Sequence, residues 1–330
     1  MIFQDDNSLL GAHDWSLPVP ISFGPGRLSE LGVHCKRLGI RRPLIITDRG
    51  SANLSFIEKA ESILLKNDLV ADVFSDIAPN PRDLDIAAAR SSFRKGDHDG
   101  IIAMGGGSGL DGAKATCLVA RNELDIWKFD FDQDSPIVEP DSAFPPLICI
   151  PTTAGTGAET ESTAMITHTG HGMKLCVWHP QVKPSVVLLD PEVTLALPPN
   201  LTSWTGLDAL VHAVEAYCVP DLHPICDGVA LQALTMIRRW LPHAVNDPGN
   251  LTARGGMQIG ACLAGISFLK GLGLVHSISH MVGAEYDTHH GLTNSILLPG
   301  VLRFNKSAIA HKIPGMLWAL GIDGDGFDAF

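Results

Sequence analysis

The stretch GLVHSISHMVGAEYDTHHG, residues 273–291, carries four of the chain's 14 histidines: His276, His280, His289 and His290. Imidazole is both a metal ligand and a proton carrier near neutral pH, so the cluster points to one or both of those chemistries. A second stretch, GLDALVHAVEAY at 206–217, sets Asp208 and His212 four residues apart. On a helix this spacing puts both side chains on one face, about 5–6 Å apart at Cβ, which suits two ligands on one ion. Glu215 follows three residues later, near the same face. His276 and His280 share that spacing, so spacing alone nominates them together. His290 lies past a turn at YDTHHG and could swing back. One carboxylate with two or three imidazoles suits a divalent transition ion with a position open to substrate. Spacing leaves open which histidine coordinates and which only stands behind a ligand. A plainer reading of Asp208 and His212 is an amphipathic helix with a satisfied histidine and a solvent-facing aspartate.

A second kind of chemistry is suggested by IIAMGGGSGLDGAKA at 101–115, a strand running through glycines into a helix. Glycines let the backbone approach a phosphate, and a helix N-terminus offers free N–H groups with partial positive charge. Ser108 can add a hydroxyl donor. The pattern matches neither of the usual glycine fingerprints for nucleotides, and it reads equally as a tight strand-to-helix turn. A further polar turn, CIPTTAGTGAE at 149–159, places Thr152, Thr153 and Thr156 beyond the next strand. Asp48 ends the strand-like LIITD. Ligands of open parallel sheets bind at the carboxyl ends of strands, where a carboxylate can accept from a ribose 2′-hydroxyl and repel a 2′-phosphate. Acidic residues are also common at strand ends for no such reason.

The elements that must position these residues fall into two groups. Strand-like runs at 42–48, 70–76, 99–109 and 146–153 alternate with helical patterns at 55–68, 84–96 and 110–120. This alternation predicts a parallel sheet with helices on both faces, a Rossmann-like α/β domain over 1–190. Beyond SVVLLDPEVTLALPP at 185–199 no strand pattern appears. Helices are expected at 201–220, capped by Thr202 or Ser203, at 224–245, broken near Pro242, and at 253–271 and 295–321. The second domain, 191–330, is therefore expected to be all-helical.

The formal charge of -12 over 330 residues repels phosphate backbones and anionic lipid, which excludes nucleic acid and membrane surfaces as partners. Seven cysteines are scattered singly with no CxxC, as expected of reduced thiols in a cytoplasmic protein. MIFQDDNSLL has acids where a signal peptide needs basic residues, and no stretch reaches the roughly 20 apolar residues of a membrane span.

Taken together, GGGSGLD, PTTAGTGAE, GLDALVHAVEAY and GLVHSISHMVGAEYDTHHGLTNSILLP resemble the iron-containing (group III) alcohol dehydrogenases. ISFGPGRLSELG at 21–32 and PNP at 79–81 fit as well, and the similarity runs from about residue 16 to the end. The resemblance implies a dehydroquinate synthase-like architecture with NAD(P) in the cleft between the domains. It implies Asp208, His212, His276 and His290 as metal ligands, with His280 beside the nicotinamide and substrate as a catalytic candidate. It leaves His289 unassigned. Gly106, Gly107, Ser108 and Asp111 match the pyrophosphate and nicotinamide-side loop, where Asp111 is a second catalytic candidate. Thr152, Thr153 and Thr156 match the second cofactor loop, Asn80 and Lys174 match further contacts, and Asp48 matches the position that favours NAD over NADP.

The metal so implied is Fe²⁺, although one carboxylate and three imidazoles also suit Zn²⁺, Co²⁺ or Ni²⁺. The implied reaction is reversible oxidation of a small alcohol to its aldehyde. The metal polarises the substrate oxygen while hydride passes to or from nicotinamide C4, and His280 passes the proton. A homodimer with contacts from the N-terminal strand is expected. Family members carry more residues at the C-terminus, so part of the substrate pocket and its cover is expected to lie outside this sequence. A dehydroquinate-synthase-like lyase would share the plan, the NAD and the metal. It needs a basic cluster for an anionic substrate, whereas the helices beyond residue 200 offer mainly Arg238, Arg239 and Lys270.

Overall fold

The computed structural model describes residues 13–15, 19–139 and 144–330. The expectation placed on residues 1–10 lies outside them. Among the described residues the strands are β1 (His13–Trp15), β2 (Ile21–Phe23), β3 (Pro43–Asp48), β4 (Asp72–Ile77), β5 (Gly100–Gly105), β6 (Leu147–Pro151), β7 (Thr163–His168), β8 (Met173–Trp178) and β9 (Val186–Leu189). Helices α1 (Leu31–Arg37), α2 (Ser55–Lys66), α3 (Asp83–Lys95) and α4 (Gly107–Val119) lie among them. The rest are α5 (Pro199–Cys218), α6 (Pro224–Asn246), α7 (Leu251–Ser267), α8 (Leu274–Tyr286), α9 (His290–Ile309) and α10 (Ile313–Leu320). These form two compact units, one of 11–152 with 158–193, the other of 153–157 with 194–330.

The α/β unit is built on a sheet ordered β1-β2-β9-β6-β5-β3-β4. Its six strands from β2 to β4 run parallel, as the alternation of elements predicts. Two features depart from that expectation. β1 pairs antiparallel with β2 at one edge, and β7 with β8 forms a separate antiparallel hairpin. The hairpin was legible in principle, because Thr163–His168 alternates in burial and THTGHG makes the turn. The central strands β5, β6 and β9 are buried at every position, as strands covered on both faces must be. On one face Ile45, Ile102, Met104, Ile148, Ile150 and Leu188 meet Leu31, Phe56, Ile57 and Leu64. Each such side chain contributes about 1.5–3 kcal/mol when fully buried. The apolar strands are therefore the rigid part, and they hold the polar turns at their carboxyl ends. Those turns follow Asp48, Gly105 and Pro151.

In the helical unit, two expectations about helix ends are corrected. α5 starts at Pro199 with Pro198 as its N-cap, and no side chain caps it. Proline's fixed φ suits a first turn, so the helix begins ahead of Thr202 and Ser203. The Thr202 hydroxyl instead donates to the Pro198 carbonyl at 3.0 Å and accepts from Arg254 Nη1 at 2.7 Å. α6 runs through Pro242 unbroken. Pro242 and Arg238, whose carbonyl loses its helical partner, are both exposed, so water can serve that carbonyl.

No single helix among the described residues is long and apolar enough to cross a membrane. None of the seven cysteines forms a disulfide. Burial pushes the Cys117 thiol up to about 12, which leaves it an inert packing group.

Candidate metal centre

α5 presents Asp208 and His212, α8 presents His276 and α9 opens with His290. One ligand atom from each of these four lies within 4.8 Å of the others. The chain reaches this arrangement through a sharp reversal. α8 closes on Asp287 in the left-handed region at φ 51°, and His289 caps α9, its Nδ1 accepting from Leu292 N at 3.4 Å. His289 is therefore a cap, with its ring 5.0 Å from that of Trp204. Gly291 then lets α9 close onto α5. A Cβ there would lie 2.2 Å from the Trp204 carbonyl oxygen and 3.0 Å from Asp208 Cβ.

Two residues set the direction of the lone pairs. Glu215, one turn beyond His212, accepts from Val275 N at 2.7 Å, from His276 N at 3.2 Å and from His276 Nδ1 at 2.6 Å. The carboxylate fixes the His276 tautomer, so Nε2 keeps a lone pair for the cluster. Burial opposes ionisation of Glu215, but its bond with His276 outweighs burial and lowers its pKa. Asn294, on α9, is a residue the histidine spacing gave no reason to pick. Its Nδ2 lies 2.7 Å from Asp208 Oδ1, 3.2 Å from His276 Nε2 and 3.1 Å from His290 Nε2.

An amide nitrogen has two hydrogens to give, and three polar atoms face it. His212 Nδ1 is buried with no hydrogen-bond partner. It stands 3.9 Å from Asp208 Oδ2, and His290 Nε2 stands 3.6 Å from Asp208 Oδ1. Donor atoms around a tetrahedral ion with bonds of about 2.1 Å lie about 3.4 Å apart. Burial works against the Asp208 carboxylate, yet His212, His290, His276 and Asn294 together hold it at about 2. Burial drives His212 down to about 4, so its imidazole is neutral at physiological pH. A buried carboxylate, the neutral His212 imidazole and two further imidazoles converging on one point are the donor set a divalent cation needs. Glu215→Gln removes the charge that orients His276 and is expected to weaken Zn²⁺ or Co²⁺ affinity about tenfold to a hundredfold. Unchanged affinity in a chelator competition would refute that role for Glu215.

His280 stays outside the four-atom group. Its ring stacks on His290 at 5.2 Å and 23°, and lies 5.9 Å from that of His276. Of the i, i+4 pair on α8, the structure brings His276 to the cluster and leaves His280 beside it.

Most of the candidate cofactor residues gather in the α/β unit. Asp48 accepts from Ser51 N at 3.1 Å and from Ser51 Oγ at 2.8 Å. Its Oδ2 lies 2.8 Å from the place a Cβ on Gly105 would take, so the strand-end carboxylate abuts the glycine turn. Gly106 is the N-cap of α4, and Gly107 and Ser108 are its first residues. The Ser108 hydroxyl donates to the Pro79 carbonyl. Lys174 donates to Asn80 Oδ1 at 3.2 Å, which ties β8 to the loop after β4. Thr152 N donates to the Gly105 carbonyl at 2.9 Å.

Asp111 accepts from Met165 N at 3.2 Å and pairs with Lys114 at 3.2 Å. Lys114, only 1% exposed, also donates to the carbonyls of Ala158, at 2.9 Å, and Thr163. It pins the loop after β6, and its small neighbours in DGAKA were the one sign that it would be buried. Thr153 and Thr156 group with the helical unit.

Comparison with known proteins gives a consistent result. The family model for iron-containing alcohol dehydrogenase matches residues 18–191. That for the C-terminal part of the Fe-containing alcohol dehydrogenase family matches 202–328. An NAD-dependent methanol dehydrogenase of Bacillus methanolicus is 35% identical over 92% of this chain and 79% of its own length. A 1,3-propanediol dehydrogenase of Citrobacter freundii is 35% identical over 95% of this chain and 80% of its own. Among solved structures, a 1,3-propanediol oxidoreductase superposes with a TM-score of 0.87 at 33% identity, covering 95% of this chain and 80% of that one. An alcohol dehydrogenase from Oenococcus oeni gives 0.86 at 34%, covering 94% and 80%.

Proposed function

This chain belongs to the iron-containing alcohol dehydrogenase family, and from that premise we propose that Asp208, His212, His276 and His290 hold the divalent cation of an NAD-linked alcohol dehydrogenase. It is an oxidoreductase acting on the CH–OH group, like the methanol and 1,3-propanediol dehydrogenases it resembles. The observation that carries the assignment is the convergence of four ligand atoms within 4.8 Å of one another, beside a buried His212 Nδ1 that has no hydrogen-bond partner.

A divalent cation there supplies Lewis acidity toward a substrate oxygen, and NAD supplies the hydride acceptor. The chain's own groups do the rest. Asp208 stays ionised and so keeps one full negative charge in the site. Glu215 holds the His276 proton at Nδ1. His280, stacked on His290, takes the substrate's hydroxyl proton on its imidazole during oxidation and returns it during reduction. The cation is iron, with zinc the alternative that the donor set admits.

The glycines that open α4 leave free N–H groups for a pyrophosphate. Gly106, Gly107 and Ser108 make that cradle, and Asp111, Asn80, Lys174, Thr152, Thr153 and Thr156 complete the cofactor contacts. This divides the chain near residue 190, with cofactor binding before it and metal binding after it. Asp48 selects NAD. Asp48→Ser is expected to raise the NADP-to-NAD ratio of kcat/KM by roughly tenfold or more, because it removes a like charge from the 2′-phosphate. An unchanged ratio would place selection elsewhere.

The enzyme acts as a cytoplasmic homodimer. Seven cysteines without a disulfide support a reducing compartment, and β1, at the sheet edge, supports a second copy adding there. The decisive assay follows NADH at 340 nm with a panel of alcohols, using NAD or NADP, after anaerobic reconstitution with Fe²⁺. Net NADH is expected. A lyase recycles its cofactor and would give none.

A further inference from the structure

The turn between α7 and α8 (residues 268–273) carries a buried lysine that the chemistry above does not use. Phe268–Lys270 form a 3₁₀ turn, followed by Gly271 at φ 108°, where side chains are strained. The turn leads into Gly273, where a Cβ would lie 2.7 Å from Glu215 Oε1. It thus delivers the chain directly onto the carboxylate that holds His276. Its other end bears on a second proposed ligand, because the Phe268 ring lies 5.1 Å from the ring of His212.

Lys270 anchors this turn. Its side chain is 1% exposed, and its Nζ donates to Asp227 Oδ1, on α6, at 2.6 Å. The other oxygen of Asp227 accepts from Lys312 at 2.8 Å, and Lys312 sits over the Tyr217 ring at 4.5 Å. A buried ammonium is costly unless paired, so Lys270 is confined to the place where Asp227 meets it. The two lysines differ in one respect. Lys270 belongs to the turn that touches His212 and leads to His276, whereas Lys312 lies just before α10 and touches neither.

We propose that Lys270, clamped by Asp227, is a positioning residue for the metal centre, holding the 268–273 turn so that Phe268 backs His212 and Gly273 meets Glu215. This rests on the ligand assignment above, and the test separates the two. Lys270→Met keeps length and packing and leaves Asp227 paired with Lys312, so no bare charge is created. Co²⁺ affinity of the metal-stripped full chain is measured by chelator competition and by the visible absorption of the bound ion.

Lys270→Met is expected to weaken Co²⁺ binding about tenfold, in the range seen when groups behind a ligand are removed. Lys270→Arg is expected to restore binding, and Lys312→Met to lower thermal stability without changing Co²⁺ affinity. Should Lys270→Met not fold, Lys270→Gln, which can still donate to Asp227, is expected to fall between wild type and a tenfold loss. Equal Co²⁺ affinity in wild type and the folded Lys270 variants, or an equal loss in Lys312→Met, overturns the proposal and leaves the ligand assignment standing. A wild-type chain that takes up no Co²⁺ overturns the ligand assignment and this proposal with it.

Discussion

Asp208→Asn is expected to strip the centre of metal and to lower kcat/KM for alcohol oxidation by about a thousandfold or more. The substitution keeps shape and volume and removes only the charge. That charge sits 2% exposed, among three imidazoles, where little water screens it. It is the one full negative charge among the four ligands. The asparagine would also turn its NH₂ group either toward Asn294 Nδ2, donor against donor, or toward an imidazole nitrogen, where it would occupy a lone pair that the cation needs. The protein should stay folded, since the apolar packing around α5 is untouched. Metal content by elemental analysis and kcat/KM after anaerobic Fe²⁺ loading provide the check. A variant that retains a full equivalent of metal and activity within about tenfold of wild type would remove Asp208 from the shell.

His280→Ala should separate chemistry from metal binding. Loss of a positioned proton carrier costs about 10²- to 10⁴-fold, so kcat should fall by that order while metal stays near one per chain. The reason lies in the geometry. His280 stacks on His290 and approaches His276 within 5.9 Å, yet it is not one of the four residues whose ligand atoms converge. The pH profile of kcat should lose one limb, and added imidazole should return part of the rate. Metal lost together with activity would make His280 a ligand and reverse the assignment on α8.

How much of this was legible from the residues depends on the physics behind each part. The sheet was readable because buried parallel strands such as IIAMG and LICIP are apolar at every position and are punctuated by helical patterns. The hairpin β7–β8 was missed because its strands are short and only partly buried, so their apolar alternation is weak. Asp208 and His212 share a helix face by spacing alone. The split between His276 and His280 could not be read from spacing, because i, i+4 treats both alike. It is decided by Glu215, which reaches His276 Nδ1 at 2.6 Å from another helix. Asn294 stood within a quoted motif but was not picked, since an asparagine in an apolar helix is ambiguous until the three polar atoms around its Nδ2 are seen. Thr202 showed the opposite failure. It was a good local cap, overridden by a proline pair that starts the helix earlier.

The central claim is that one cation is gripped by Asp208, His212, His276 and His290. The most direct measurement is anomalous diffraction from crystals of the protein loaded with Fe²⁺ or Zn²⁺. The account predicts a single strong peak at about 2.0–2.2 Å from a carboxylate oxygen of Asp208 and from one ring nitrogen of each of the three histidines. A peak that includes His280 in place of one of those histidines, or one lying away from Asp208, would contradict it.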